Sequence, residues 1–144
     1  MKKLFVSIAI IFFVATAFTN IQTPEIDILG KWKMDKNSAE PMTKAMIAIM
    51  PKTNPEQADK LETDFDKVNE IMASTTYQFK ADNTFTVQSN ADPLPGTWAF
   101  SDDKKYISLT RNGKTRKDSI VELSATRLQL LHADRKVVTL FVRP

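Results

Sequence analysis

The chain has 144 residues, 42% hydrophobic and 26% charged, with 20 Lys or Arg against 17 Asp or Glu, one His and no Cys. The lack of cysteine excludes disulfides, thiolate metal sites, a cysteine nucleophile and lipid attachment through an N-terminal cysteine, so a packed core must hold the fold. The formal charge of +3 supports no inference toward nucleic acid or a membrane surface: Lys2 and Lys3 sit in a segment that reads as removable, and without them 20 basic side chains become 18 against 17 acidic ones.

Met1–Ala17 has the three parts of a secretory signal: basic Lys2-Lys3, an apolar run from Leu4 to Val14, and Ala15-Thr16-Ala17 as a small-x-small cleavage site. The apolar run falls short of the ~20 residues a membrane-spanning helix needs, so no stable membrane insertion is expected after cleavage. The sequence thus divides into a signal peptide over 1–17, a polar leader over 18–27 and one domain over 28–144. That domain is expected to be exported to a periplasm or the medium without a lipid anchor.

Ile28–Met34 reads as the first strand and carries Gly30-Lys31-Trp32. The pattern then changes. Ser38 is placed to cap a helix with Pro41 in its first turn, and Met42, Ala45, Met46, Ile49 and Met50 recur at helical spacing up to Pro51. A second helix is expected from Asn54-Pro55-Glu56, with Asn54 as cap, to about Ala73, and its stripe is Ala58, Leu61, Phe65, Val68, Ile71 and Met72. Together these make a helical hairpin inserted over 38–73.

From Ser74 onward the pattern is strand and turn. Tyr77 and Phe79 alternate with Gln78 and Lys80, Asp82-Asn83 turns the chain, and Phe85 and Val87 alternate with threonines. A corner at Pro93-Leu94-Pro95-Gly96 precedes Trp98 and Phe100, and a turn at Asp102–Lys104 precedes Tyr106–Arg111. Asn112-Gly113 is the strongest hairpin signal, since both central residues of a type I′ turn need positive φ. Strands near 114–123, 127–132 and 136–142 complete the chain. Roughly eight short strands joined by tight turns indicate a mainly β, up-and-down antiparallel barrel with the helical hairpin between strands 1 and 2.

Gly30-Lys31-Trp32 on the first strand, Tyr77–Val87, Gly96–Asp103 and Tyr106–Thr110 together resemble the short bacterial lipocalin-like domains of the calycin group. The resemblance covers Leu29–Asp35 and most of Ser74–Pro144. It implies an antiparallel barrel closed at one end by the Trp32 indole, and a function in binding a small hydrophobic molecule non-covalently, without catalysis or cofactor. On that basis Trp32 is the floor, Tyr77, Phe79, Phe85, Trp98 and Phe100 the wall, and Met46 and Met50 the mouth. The long helical insert departs from the family, in a position where lipocalins commonly admit ligand.

Other chemistry is poorly represented. His132 stands alone, without a metal-ligand pattern, and a rim or surface position is the ordinary place for it. No serine has a nucleophile-elbow context, and Asp102-Asp103 and Asp64/Asp66 read as solvated surface. Arg111, Lys114, Arg116 and Lys117 around Asn112-Gly113 read first as a solvated hairpin tip and second as an anion site. Apolar residues on one strand face are core before they are ligand wall, and the Met42/Met46/Met50 stripe with Met72 is packing before it is a binding face. The rival functions are a protein-binding module of the cell envelope, such as a hydrolase inhibitor, which would use a filled barrel, and an enzyme with polar groups converging inside.

Overall fold

A computed structural model describes residues 23–50 and 54–144. The expected signal segment, most of the leader and Pro51 lie outside the described residues. The order of elements is α1 (Pro24–Asp27), β1 (Gly30–Met34), α2 (Lys36–Ile49), α3 (Pro55–Thr63), α4 (Phe65–Ser74), β2 (Thr76–Phe79), β3 (Thr84–Gln88), β4 (Leu94–Phe100), β5 (Tyr106–Arg111), β6 (Lys114–Leu123), β7 (Arg127–His132) and β8 (Val137–Val142).

The eight strands pair antiparallel in sequence order and β8 pairs back to β1, which closes the barrel and leaves no free sheet edge. The turns are those the residues demand. Asn112 and Gly113 have φ of 51° and 72°, and the resulting two-residue hairpin pairs Arg111 with Lys114, Leu109 with Arg116 and Ile107 with Asp118. Between β2 and β3, Asn83 has φ 62° while Asp82 Oδ1 accepts from the Thr84 amide (3.0 Å) and hydroxyl (2.6 Å).

Four expectations need correction. The first helix starts at Lys36, because Asp35 caps it by accepting from the Asn37 amide at 3.0 Å. Ser38 instead accepts from the Leu140 amide of β8 at 2.9 Å, which fastens α2 to the barrel wall. The second helix is two, broken at Asp64, one residue after Thr63 donates its hydroxyl to the Asp59 carbonyl (2.9 Å), a back-bond that bends helices. Leu94-Pro95-Gly96 is the start of β4, with Pro95 opposite Thr86 near the strand's beginning, where a missing amide is tolerated. Gly96 is there for space: a Cβ would lie 2.5 Å from Phe85 Cε1 and 2.6 Å from the Thr110 carbonyl oxygen. Finally, the polar leader ends in the helical turn α1, tied to the barrel by Arg143 donating to the Asp27 carbonyl and by the Glu25–Lys104 ion pair.

The two ends of the barrel are built differently. At the closed end, Gly30 (φ 101°) lets the chain pass beneath Arg143, and the Trp32 indole, fully buried, donates to the Ile28 carbonyl at 2.7 Å. The Arg143 guanidinium lies 3.8 Å over that ring and donates to the carbonyls of Asp27 (2.7 Å), Leu29 (2.8 Å), Lys31 (3.2 Å) and Ala125 (3.0 Å). Above the floor, Phe79, Phe85, Trp98, Ile107, Leu109, Leu128, Leu130 and Phe141 form a buried core. At the other end, α2–α4 lie between β1 and β2 in the sequence, with α2 packed on β8 and α4 on β1. Among the described residues no helix is long and apolar enough to cross a membrane.

Candidate functional site

The lower half of the barrel is filled. The space between Tyr77, Phe79, Leu109, Leu128, Leu130 and Phe141 does not admit a water molecule. Above it the interior opens into two cavities that share Tyr77, Val87, Arg111 and Arg116 as common wall. One, about 260 Å³, lies under the helical hairpin against Met34, Met42, Met46, Met72 and Phe141. The other, about 390 Å³, opens beside the β5–β6 turn and is lined by Phe85, Leu109 and Lys114 as well. Methionine suits such a wall, being unbranched and polarisable and able to follow the shape of what it meets.

Polar groups enter this half of the barrel through strand alternation. Arg116 and Asp118 on β6 stand opposite inward-facing Leu109 and Ile107, so the pleat directs them inward too. Asp118 also faces His132, and Leu130 faces Thr139, which completes a buried polar cluster. Asp118 and Thr139 are fully buried and His132 is nearly so. Arg116 Nε donates to Asp118 Oδ2 at 2.8 Å, and His132 Nδ1 lies 3.1 Å from the same oxygen, in ion-pair range but off the line of a hydrogen bond. His132 Nε2 and Thr139 Oγ1 are 3.0 Å apart. Asp118 Oδ1 makes no hydrogen bond among the described residues.

Burial works against the charge of Arg116, yet Tyr77 and Asp118 outweigh it and hold the guanidinium above its ordinary pKa. Its side chain keeps 29% of its exposure, on the cavity side. Arg135, in the β7–β8 turn, reaches over the Met-lined chamber and contacts Met42 Sδ at 3.6 Å. Asp118, His132 and Thr139 are spaced like a nucleophilic relay, but Thr139 is sealed in the wall and borders neither cavity. Among the described residues no three His, Cys, Asp or Glu side chains cluster as a metal site.

These positions revise two readings of the sequence. His132 is an interior residue, because it continues the inward phase of Leu128 and Leu130. Arg116 is interior as well, and only Arg111, Lys114 and Lys117 of that cation group are exposed. The signals were present: the two-residue turn at Asn112-Gly113 puts Arg116 in phase with Leu109, and His132 follows Leu128 and Leu130 at period two.

Of the residues singled out as ligand contacts, Met46, Tyr77 and Phe85 come together around the open space. Phe79 lines only the filled lower region. Trp98 is core, donating its indole N–H to the Lys80 carbonyl at 3.1 Å, and Phe100 packs edge-on against it with ring centroids 5.3 Å apart. Trp32 is floor, distant in the fold from the mouth, and Met50 caps the end of α2.

A closed eight-strand up-and-down barrel with one end sealed by a tryptophan and the other roofed by helices defines a lipocalin-like class of protein. The chain belongs to the family described as "Lipocalin-like domain (DUF4923)", whose match spans residues 1–143. It is also similar to an NMR structure of a protein from Bacteroides uniformis ATCC 8492, at 25% identity over 48% of this chain and 72% of that one, with a TM-score of 0.42. A second likeness is the crystal structure of a DUF4847 family protein from Bacteroides vulgatus ATCC 8482, at 17% identity over 83% of this chain and 96% of that one, with a TM-score of 0.49. No curated protein matches the chain in sequence.

Proposed function

We propose that this protein is exported and binds a small, largely apolar molecule non-covalently in the upper half of its barrel, without catalysing a reaction. The observation that carries the reading is the chamber of about 260 Å³ between the methionines of the helical hairpin and the barrel wall, above a core that is otherwise filled. Ligand sites are concavities lined mainly by apolar side chains with a few polar groups, and a hollow roofed by adaptable methionines with arginines at its wall has that character. The absence of catalysis is supported by the burial of Thr139, the only hydroxyl hydrogen-bonded to His132 among the described residues. Export rests on the basic, apolar and small-residue segments of Met1–Ala17.

The test uses a neutral apolar fluorophore, N-phenyl-1-naphthylamine, with the native protein and Met46→Trp, which places an indole in the chamber. The native protein is expected to take up about one probe per chain with enhanced emission, and the folded Trp variant to lose most of it. Absence of uptake by the native protein would refute the chamber as a site and favour a protein-binding role on the outer surface.

A further inference from the structure

We propose that Met42 is a modification site, at which a hydroperoxide oxidises the thioether to a sulfoxide and Arg135 holds the oxygen that is added. Four methionines, Met34, Met42, Met46 and Met72, border the chamber under the helical hairpin. Of these, Met42 alone has a hydrogen-bond donor at its sulfur among the described residues: Arg135 Nη1, from the β7–β8 turn, lies 3.6 Å from Sδ. The same guanidinium carries a second donor, Nε, that is buried and makes no hydrogen bond among the described residues. Asp134 Oδ2 lies 3.6 Å from it, within ion-pair range but too far for a hydrogen bond.

A buried donor left without an acceptor is costly, and a thioether sulfur is a weak acceptor. A sulfoxide oxygen is a strong one. Carried on Sδ, at an angle to the present contact, it comes within reach of the guanidinium and supplies the acceptor that the thioether lacks. Met42 is closed to bulk solvent, with 2% of its surface exposed, yet it borders a chamber of about 260 Å³. Hydrogen peroxide is little larger than a water, whose share of volume is roughly 30 Å³, so the chamber admits it.

In the step itself, a sulfur lone pair attacks one oxygen of the peroxide, and an S–O bond forms as the O–O bond breaks. Sulfur loses two electrons and the peroxide gains them; the departing oxygen takes up the proton of the transferred hydroxyl and leaves as water. Arg135 is placed to donate to the oxygen on which negative charge develops. The product is a polar group on α2 in what was an apolar roof. Uptake of an apolar molecule under the hairpin should then fall, a consequence that rests on the proposed ligand-binding reading, whereas the oxidation does not.

The test treats the native protein with dilute hydrogen peroxide and follows each methionine by peptide mass mapping. Met34 is the internal reference, since it borders the same chamber, is 4% exposed and has no donor at its sulfur among the described residues. Met42 is expected to be oxidised about tenfold faster than Met34, the increment of one hydrogen bond from a charged group. In Arg135→Leu the two rates should converge, and in Arg135→Lys, which keeps a cationic donor, part of the preference should return. Met42 oxidised no faster than Met34, or a preference unchanged in Arg135→Leu, would overturn the site. Uptake of N-phenyl-1-naphthylamine should be lower in the oxidised native protein than before treatment, and the fall should be absent in Met42→Leu. An equal fall in Met42→Leu would overturn the consequence for binding and leave the modification standing. No uptake by the untreated protein would strike the ligand-binding reading alone.

Discussion

Arginine is used at both ends of the barrel, and the two uses differ in what engages the guanidinium. At the closed end, Arg143 spends its donors on four backbone carbonyls and its face on the Trp32 ring. Burial pulls its pKa down, opposed by Asp27, and four of its five N–H donors are engaged by the backbone. At the mouth, Arg116 is held by Asp118 and Tyr77, Arg111 forms no ion pair among the described residues, and both border the cavities. A guanidinium held by several backbone carbonyls acts as a clamp, whereas one anchored by a single carboxylate keeps an edge toward open space.

The contrast is sharpened most by Trp32→Ala. Removing a fully buried indole from beneath Arg143 is expected to cost about 3–5 kcal/mol in urea unfolding. A loss under about 1 kcal/mol would mean that the closed end is not the structural anchor. Next is Asp118→Ala, which strips the mouth cluster of its only buried carboxylate among the described residues. Because the Arg116 side chain is 29% exposed and can turn toward water, we expect about 2–3 kcal/mol rather than the full cost of stranding a buried charge.

Gly96→Ala comes third. Its Cβ would press on the Phe85 ring and on the Thr110 carbonyl, and backbone oxygen cannot swing aside as a flexible side chain does, so about 1–3 kcal/mol is expected from overpacking, read by thermal melting.

The smallest effect separates the two ends by pH. Three carboxyls at closed-end positions are held below their ordinary values: Glu25 chiefly by Lys104, Asp82 by the Thr84 hydroxyl and Asp103 by the Ser101 hydroxyl. Their pKa values are lower folded than unfolded, so their contribution is present above about 4.5 for Glu25 and 3.8 for the aspartates, and is lost as pH falls through the lower folded values. Amide exchange protection at Thr84 and Lys105, whose amides donate to Asp82 and Asp103, should therefore fall on acidification before that of the Asn112-Gly113 hairpin. Simultaneous loss at both ends would erase the distinction.

Much of the barrel was legible from local chemistry. Alternation from Tyr77 to Val87, the positive-φ pair Asn112-Gly113 and the Gly30-Lys31-Trp32 strand required no long-range information, because each is decided by neighbours a few residues away. The helix boundaries were less legible: Ser38 carries the residue type of a cap, but the Leu140 amide, 102 residues away, claims its oxygen. The site was least legible. The resemblance to lipocalin-like domains implied an aromatic wall against ligand, whereas Phe79 and Trp98 pack against each other and methionines and arginines line the open space above them.

By itself, then, the sequence determined the strands, their turns, the helical insert and the antiparallel order, since these follow from period-two patterning and turn conformations that short segments encode. Only the tertiary structure decided which half of the barrel is hollow and which charges face it. Those depend on summed side-chain volumes across strands distant in sequence, which face one another only once β8 pairs back to β1.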